Sequence, residues 1–436
     1  MRDIVVTLVI FGSLPYILRK PYIGILMWAW ISYMNPHRLC WGFAYNMPFA
    51  EIVAAVTILS IAISKEPKRL PVNGLTILWI IFILWMGITT FFAIYPDVAL
   101  FDYEKSLKIQ LMTFFVLMIM GTKARLNALM WVTALSVAFF GVKGGIFTIS
   151  TGGEYKVYGP AGSFIADNNA MAVALLMILP LLYYLRMYEN RKWIRHALLA
   201  SMILSFVAAL GSQSRGAFLA VLCISAMLWL KGKQKVILGI GMVLVLAVGF
   251  TFMPESWHKR MDTINTYQQD ESAMGRINAW WYSYHLANAR LTGGGFDSWS
   301  SSTFAEWAPD PNSVHAAHSI YFSVLGDHGW PGFVMFVAIL VMAWRKGSWT
   351  IKKCKNREDL AWAADMARMI QVGMVAYFSG GAFLSLSYFD LPWQMMAMLV
   401  LLQRIVMQER NANGSVSNQP AVSARKVPYS AAAGIQ

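Results

Sequence analysis

The chain has 436 residues, of which 57% are hydrophobic and only 13% charged, with a mean hydropathy of +0.50. Soluble domains carry about 25% charged residues, so a string of water-soluble globules is excluded, as are disordered, collagenous and disulfide-stapled classes. The formal charge of +14 is read first as membrane topology, because basic residues mark the cytoplasmic ends of spans, and nucleic acid is not the expected partner.

In chain order, apolar runs fall near 3–18, 22–35, 48–64, 74–95, 107–121, 127–150, 169–187, 196–212, 216–230, 235–253, 319–344, 368–387 and 391–407. A bilayer core needs about 20 apolar residues per helix, which makes this an all-α polytopic membrane protein of about twelve spans. Arg2 and the first run lack a convincing cleavage site, so they read as a retained helix. A single broken crossing over 3–35, bent at Arg19-Lys20-Pro21, gives twelve spans with both ends inside. Two crossings there would give thirteen, with the N-terminus outside. The proline and paired charges favour the broken crossing.

Basic residues cluster in alternate gaps, among them Lys65/Lys68/Arg69, Lys123/Arg125, Arg186/Arg191/Lys192/Arg195 and Arg345 to Arg357. These gaps are expected in the cytoplasm. The opposite face then holds 36–47, 96–106, 151–168, 212–215, a long loop 254–318 and 388–391. The resulting division is 1–253 as spans, 254–318 as a long outer loop, 319–410 as C-terminal spans and 411–436 as a disordered cytoplasmic tail. Within the loop, 271–290 has helical spacing of Trp280, Trp281, Tyr284 and Leu286, which predicts an amphipathic helix lying over the bundle. Gly293-Gly294-Gly295 must turn or allow close backbone approach.

The outer face is otherwise rich in acid, so its few basic residues stand out. Arg215 sits in Gly211-Ser-Gln-Ser-Arg215-Gly, with Gln213 beside it, and a membrane-boundary arginine needs a partner or an anion. Its planar fork suits phosphate oxygens; snorkelling, or pairing with Asp167 or Asp390, is the structural alternative. Arg276 follows Gly275 near a helix start that would add backbone donors. Lys105 is a further cation, or simply an anchor at the interface. His315 and His318 lie where the loop returns to the membrane, next to Tyr321, and a histidine can remove a proton from a hydroxyl near neutral pH. No further metal-ligand pattern accompanies them. Asp167-Asn168-Asn169 opens an apolar helix, where Asp or Asn can cap. Asp390, in another outer turn, is ambiguous in the same way.

Arg215, Arg276, His315, His318, Asp167 and Asn169 come from separate stretches yet share the outer face. Arginines for phosphate and a histidine for proton removal describe group transfer from a lipid-linked pyrophosphate to a hydroxyl. Transport is disfavoured, since only Lys143 is conspicuous within a span.

These residues resemble the bacterial O-antigen ligase and polymerase superfamily. Arg215 and Leu219 match its R-x3-L element, His318 and Gly329 its H-x10-G element. His318-Ser-Ile-Tyr321, Gly329-Trp-Pro-Gly332, Arg276 to Gly295 and Asp167-Asn168-Asn169 are similar to the surrounding pattern, with Asn168 in place of the usual proline. The resemblance implies an integral membrane glycosyltransferase of the bacterial inner membrane with a periplasmic active site. It implies transfer of a glycan from undecaprenyl pyrophosphate to the lipid A core oligosaccharide, inverting, without metal or other cofactor. His318 would be the general base, with Arg215 and Arg276 on the pyrophosphate. His315, Asp167, Asn169, Gln213, Tyr321, Lys105 and Asp390 would line the substrates. An O-antigen polymerase or a protein O-oligosaccharyltransferase would share the donor and the chemistry.

Overall fold

The computed structural model describes residues 1–231 and 271–417, and no strand occurs among them. The apolar run 235–253, the first part of the expected loop and the last part of the expected tail lie outside the described residues. The helices are α1 Arg2–Arg19, α2 Pro21–Met34, α3 Phe49–Ile63, α4 Gly74–Phe91, α5 Pro96–Ile119, α6 Lys123–Ser150, α7 Asn168–Tyr188, α8 Lys192–Gly211 and α9 Arg215–Lys231. After the gap come α10 Glu271–Ala289, α11 Ser301–Trp307, α12 Ile320–Lys353, α13 Ala361–Gly380 and α14 Asp390–Ser417. Among the described residues, α4, α6, α7, α8 and α12 are long and apolar enough to cross a membrane. The protein is therefore an all-α, membrane-embedded chain.

Helix α4 shows the membrane logic residue by residue. Leu75, Trp79, Phe82 and Met86 are buried, while Ile77, Ile80, Ile81, Leu84 and Ile88 on the other face are 40–61% exposed. A helix apolar on both faces belongs in lipid. Inside the bundle, polar side chains meet one another, as where Trp79 Nε1 donates to Gln110 Oε1 at 2.7 Å. Helix α7 is the central pillar, packed on α6, α8, α9 and α13 and buried over most of its length.

The connecting segments sort to two ends. At one end Glu66 pairs with Arg125 at 2.9 Å, Arg125 lies over the Tyr22 ring, Arg404 donates to the Arg69 carbonyl and Arg410 to that of Lys353. At the other, Asn168 Nδ2 donates to the Ser212 carbonyl, Gln213 Nε2 to that of Gly153, and the Ile94 amide to that of Gly294. The basic gaps thus gather at one end and the acidic loops at the other.

The segment 3–35 differs from the expected broken crossing. Asp3 Oδ1 accepts from the Gly42 and Ala44 amides, so the start of α1 meets the loop that follows α2. Helices α1 and α2 form an antiparallel hairpin around Lys20, whose extended backbone (φ −140°) breaks the helix before Pro21. Proline at the first helical position starts a new helix rather than kinking an old one. Helix α14 continues through Ser417, past residue 411 where the tail was expected to start.

Helix α12 is broken at Gly329 (φ 65°, ψ −173°). A Cβ there would stand 2.1 Å from the Leu291 carbonyl oxygen, with Gly293 equally close-packed against the Gly326 carbonyl. This is the glycine of the H-x10-G element, and both its backbone conformation and the approach of residues 291–293 require the missing side chain. Gly329→Ala is expected to cost about 2–4 kcal/mol, read as a fall in thermal midpoint in detergent. A midpoint equal to wild type would show that the break tolerates a side chain.

Candidate active site

At the acidic end, four helix starts and two returning loops converge. Asp167 caps α7, its Oδ1 accepting from the amides of Asn169 (2.8 Å) and Ala170 (3.1 Å). This fills the helix start as its residue type predicts. The neighbouring Asn168, where the family pattern has proline, uses its amide to hold the Ser212 carbonyl at 2.7 Å. That bond fixes the α8–α9 turn against α7 and so positions Arg215, the first residue of α9. Gln213 sits in the turn with φ 56° and donates to the carbonyls of Gly153 and Glu154. Its amide nitrogen therefore holds the loop after α6.

Helix α10 is described from Glu271 onward, so Arg276 lies at least one turn inside it rather than at its opening. The helix start expected to supply donors beside Arg276 is thus displaced from it. The buried face also differs in phase from the expected one. Asn278, Ala279, Tyr282 and Leu286 are buried, while Trp281 and Tyr284 are 49% and 39% exposed. Trp280 lies between, stacking on Phe322 at 5.0 Å and donating from Nε1 to the Ala317 carbonyl at 2.7 Å. Asn278 ties the returning loop to α10 by donating to the Asp310 and Ser313 carbonyls.

The two histidines are set by these contacts. The His315 ring lies against the backbone of Gly275, where a Cβ would come within 2.4 Å of the ring. His318 precedes the Ser319 cap of α12 and has φ 42°, a left-handed conformation that costs a residue with a Cβ. Its Nδ1 lies 3.4 Å from Ser385 Oγ. The ring is accessible to solvent, yet burial by surrounding protein is the chief cause that lowers its pKa from 6.5. Arg276 and His315 lower it further and Asp167 opposes them. These four side chains, from three parts of the sequence, therefore lie within one another's electrostatic reach.

Arg215 joins them through the segment 381–389. Gly216 packs beside Phe383, and Phe383 meets the Trp280 ring at 6.0 Å, one helical turn beyond Arg276. Ser385 reaches His318, Ser387 Oγ donates to the Ile320 carbonyl, and Tyr321 donates to the carbonyl of Phe378. This hub was not singled out from the sequence; its small and aromatic residues carry no motif of their own. Asn169 is half-buried next to the Asp167 cap.

Asp390 is placed apart from His318's immediate partners, whereas Lys105 lines both Asp390's cavity and a smaller one walled by Ser385. Asp390 accepts a hydrogen bond from Ser32 and, with Lys105, lines a cavity of about 460 Å³ that also holds Arg38 and Lys108. Lys105 lies over the Phe164 ring at 4.2 Å. Among the described residues no group of three His, Cys, Asp or Glu side chains is placed to hold a metal ion.

A neutral histidine at pH 7 can accept a proton, so its lowered pKa keeps it competent as pH falls through 6.5. The acid limb of kcat/KM is expected to have its midpoint below 6.5. Arg276→Ala should move that midpoint up and Asp167→Asn should move it down, in a pH series at constant ionic strength. Coincident midpoints in all three proteins would contradict this coupling.

The fold and site define a membrane-embedded helical protein with His318, His315, Arg276 and Asp167 gathered at the acidic end of its bundle. Residues 200–337 match the family model described as O-antigen ligase, and residues 1–190 match a family of unknown function. A search of curated proteins gave no match. The stretch that carries the candidate site is thus similar to the O-antigen ligase family, which supports membership of that superfamily and a glycosyltransferase of the ligase and polymerase type. The 200–337 match contains Arg215, Leu219, Arg276, His315, His318, Tyr321 and Gly329.

Proposed function

We propose that the protein is an O-antigen ligase, transferring a glycan from undecaprenyl pyrophosphate to the lipid A core oligosaccharide at the periplasmic face of the inner membrane. The observation that carries this reading is the electrostatic coupling of His318 with Arg276, His315 and Asp167, inside the stretch that matches the ligase family. In the tautomer with its proton on Nε2, His318 Nδ1 takes the proton from an acceptor hydroxyl. The oxygen bonds to the anomeric carbon of the donor sugar as the bond from that carbon to the pyrophosphate oxygen breaks. The electron pair leaves with undecaprenyl pyrophosphate, whose charge Arg215 and Arg276 receive. One direct, metal-independent displacement inverts the anomeric centre.

Orientation follows from charge. The end bearing Arg69, Arg125, Lys353 and Arg404 faces the cytoplasm by the positive-inside rule, which puts the site in the periplasm. With the N-terminal hairpin counted as two crossings, Met1 joins the periplasmic end. Residues 271–318, the described part of the expected loop, lay α10 over the site. Apolar grooves suit the polyprenyl tail, and α7, α8, α9 and α13 enclose one of about 630 Å³ lined by Leu176, Phe206 and Met369.

Purified protein reconstituted with lipid-linked glycan, and offered acceptors separately, tests the reading. Transfer to lipid A core is the expected product. Chain extension of a second lipid-linked glycan alone would select a polymerase, and glycosylation of a serine or threonine alone a protein O-oligosaccharyltransferase.

A further inference from the structure

A cavity of about 270 Å³ has Ala316 and Ser385 in its wall, and Ser385 Oγ stands 3.4 Å from His318 Nδ1. Three carboxyl groups, those of Asp102, Asp297 and Asp327, line it against the single ammonium group of Lys105. Asp327 is 4% exposed; its Oδ2 accepts from the Tyr388 hydroxyl at 2.7 Å, while its Oδ1 has no partner among the described residues. A buried acceptor left unpaired is costly and calls for an explanation. The surroundings are built to hold this carboxyl in place. The Gly295 amide donates to the Asp327 carbonyl at 2.9 Å, and Tyr388 also meets His328 Nε2 at 2.9 Å. His328 Nδ1 in turn lies 2.7 Å from Thr89 Oγ1.

The donor set selects the ligand. Among the described residues Lys105 is the only cation in this wall, fewer than a pyrophosphate needs, so the anionic end of the donor belongs elsewhere. Hydroxyl donors suit unpaired carboxyl oxygens, and the aromatic carbon of Phe296 and Trp299 in the same wall suits the apolar side of a sugar ring. The volume is slightly below the range of sites for drug-sized ligands, room for roughly one ring.

We propose that this cavity binds the receiving sugar of the acceptor glycan, with Asp327 accepting one of its hydroxyls and a neighbouring hydroxyl presented to His318 across Ser385. The inference rests on the glycan-transfer reading and assigns the acceptor to a specific subsite. Asp102, Asp297 and Asp327 then determine which acceptor fits.

The test titrates full-length protein in detergent with core oligosaccharide released from lipopolysaccharide by mild acid. Saturable quenching of Trp299 fluorescence, absent from Trp299→Phe, is expected. Asp327→Asn and Asp297→Asn should each weaken it about tenfold. Asp297 is exposed at φ 50°, a conformation that asparagine tolerates, so that variant reports on binding even where Asp327→Asn fails to fold. In transfer assays the same variants should raise the acceptor KM about tenfold and leave the donor KM unchanged. Absent quenching, or binding unaltered in Asp297→Asn, overturns the subsite. A raised donor KM with an unchanged acceptor KM assigns the cavity to the donor sugar and also overturns it. Quenching that follows the expected pattern while no acceptor is glycosylated supports the subsite and removes the ligase reading instead.

Discussion

His318→Ala is expected to reduce glycan transfer by about 10²–10⁴-fold, which is background in a product assay, while the protein remains folded. The size follows from removing the group that takes the acceptor proton, and nothing within its immediate contacts replaces it. Ser385 Oγ stands 3.4 Å away, but a serine hydroxyl is too weak a base at neutral pH. His315 is held against Gly275 on α10. Backbone cost complicates alanine here, since His318 has φ 42°. His318→Asn is the cleaner variant, because asparagine adopts the left-handed region readily and has no titratable nitrogen. Both variants should elute as wild type in size-exclusion chromatography and fail to transfer glycan. Transfer at the wild-type rate in either would remove His318 from the chemistry.

The second large effect is expected at Arg215. Arg215→Ala should lower kcat by about 10²–10³-fold, with a smaller rise in the donor KM. A group that meets the charge of a departing pyrophosphate acts more strongly on the transition state than on the bound donor. Arg215→Lys retains the positive charge and loses the planar fork, so it should recover only part of the loss. Steady-state kinetics with purified lipid-linked glycan separates the two parameters. A kcat equal to wild type in Arg215→Ala would assign the side chain to packing at the start of α9, and full recovery in Arg215→Lys would reduce its role to charge alone.

Much of the fold was legible because lipid solvation and charge write themselves into local sequence. Among the described residues the apolar runs became helices, and alternate basic gaps met at one end through contacts such as Arg125 with Glu66 and Arg404 with the Arg69 carbonyl. The hairpin at 3–35 was read as a broken crossing because its direction depends on Asp3 reaching Gly42 and Ala44, a contact between distant residues that periodicity does not carry. The face of α10 was misread for a similar reason. Large aromatic residues suggested burial, whereas the returning loop selects Asn278, Tyr282 and Leu286 and leaves Trp281 outside.

The candidate site divides in the same way. His318, Arg276, His315 and Asp167 were recognisable from residue type and sidedness, and they share one field in the fold. The segment 381–389 was invisible as a site, since Phe383 and Ser385 acquire meaning only when folding brings them against Trp280 and His318. Asp327 and His328 read as ordinary members of a span. Their significance comes from the break at Gly329, which brings residues 291–295 against that turn.

The most direct test follows both products of a single reconstituted reaction. Wild-type protein, lipid-linked glycan and lipid A core are mixed, and released undecaprenyl pyrophosphate is quantified beside glycosylated lipid A core, with the anomeric configuration of the new linkage determined. One undecaprenyl pyrophosphate per linkage formed, with inverted configuration and neither product in His318→Ala, is the result expected. Retained configuration, or linkage formation undiminished in His318→Ala, would contradict a direct displacement driven by His318.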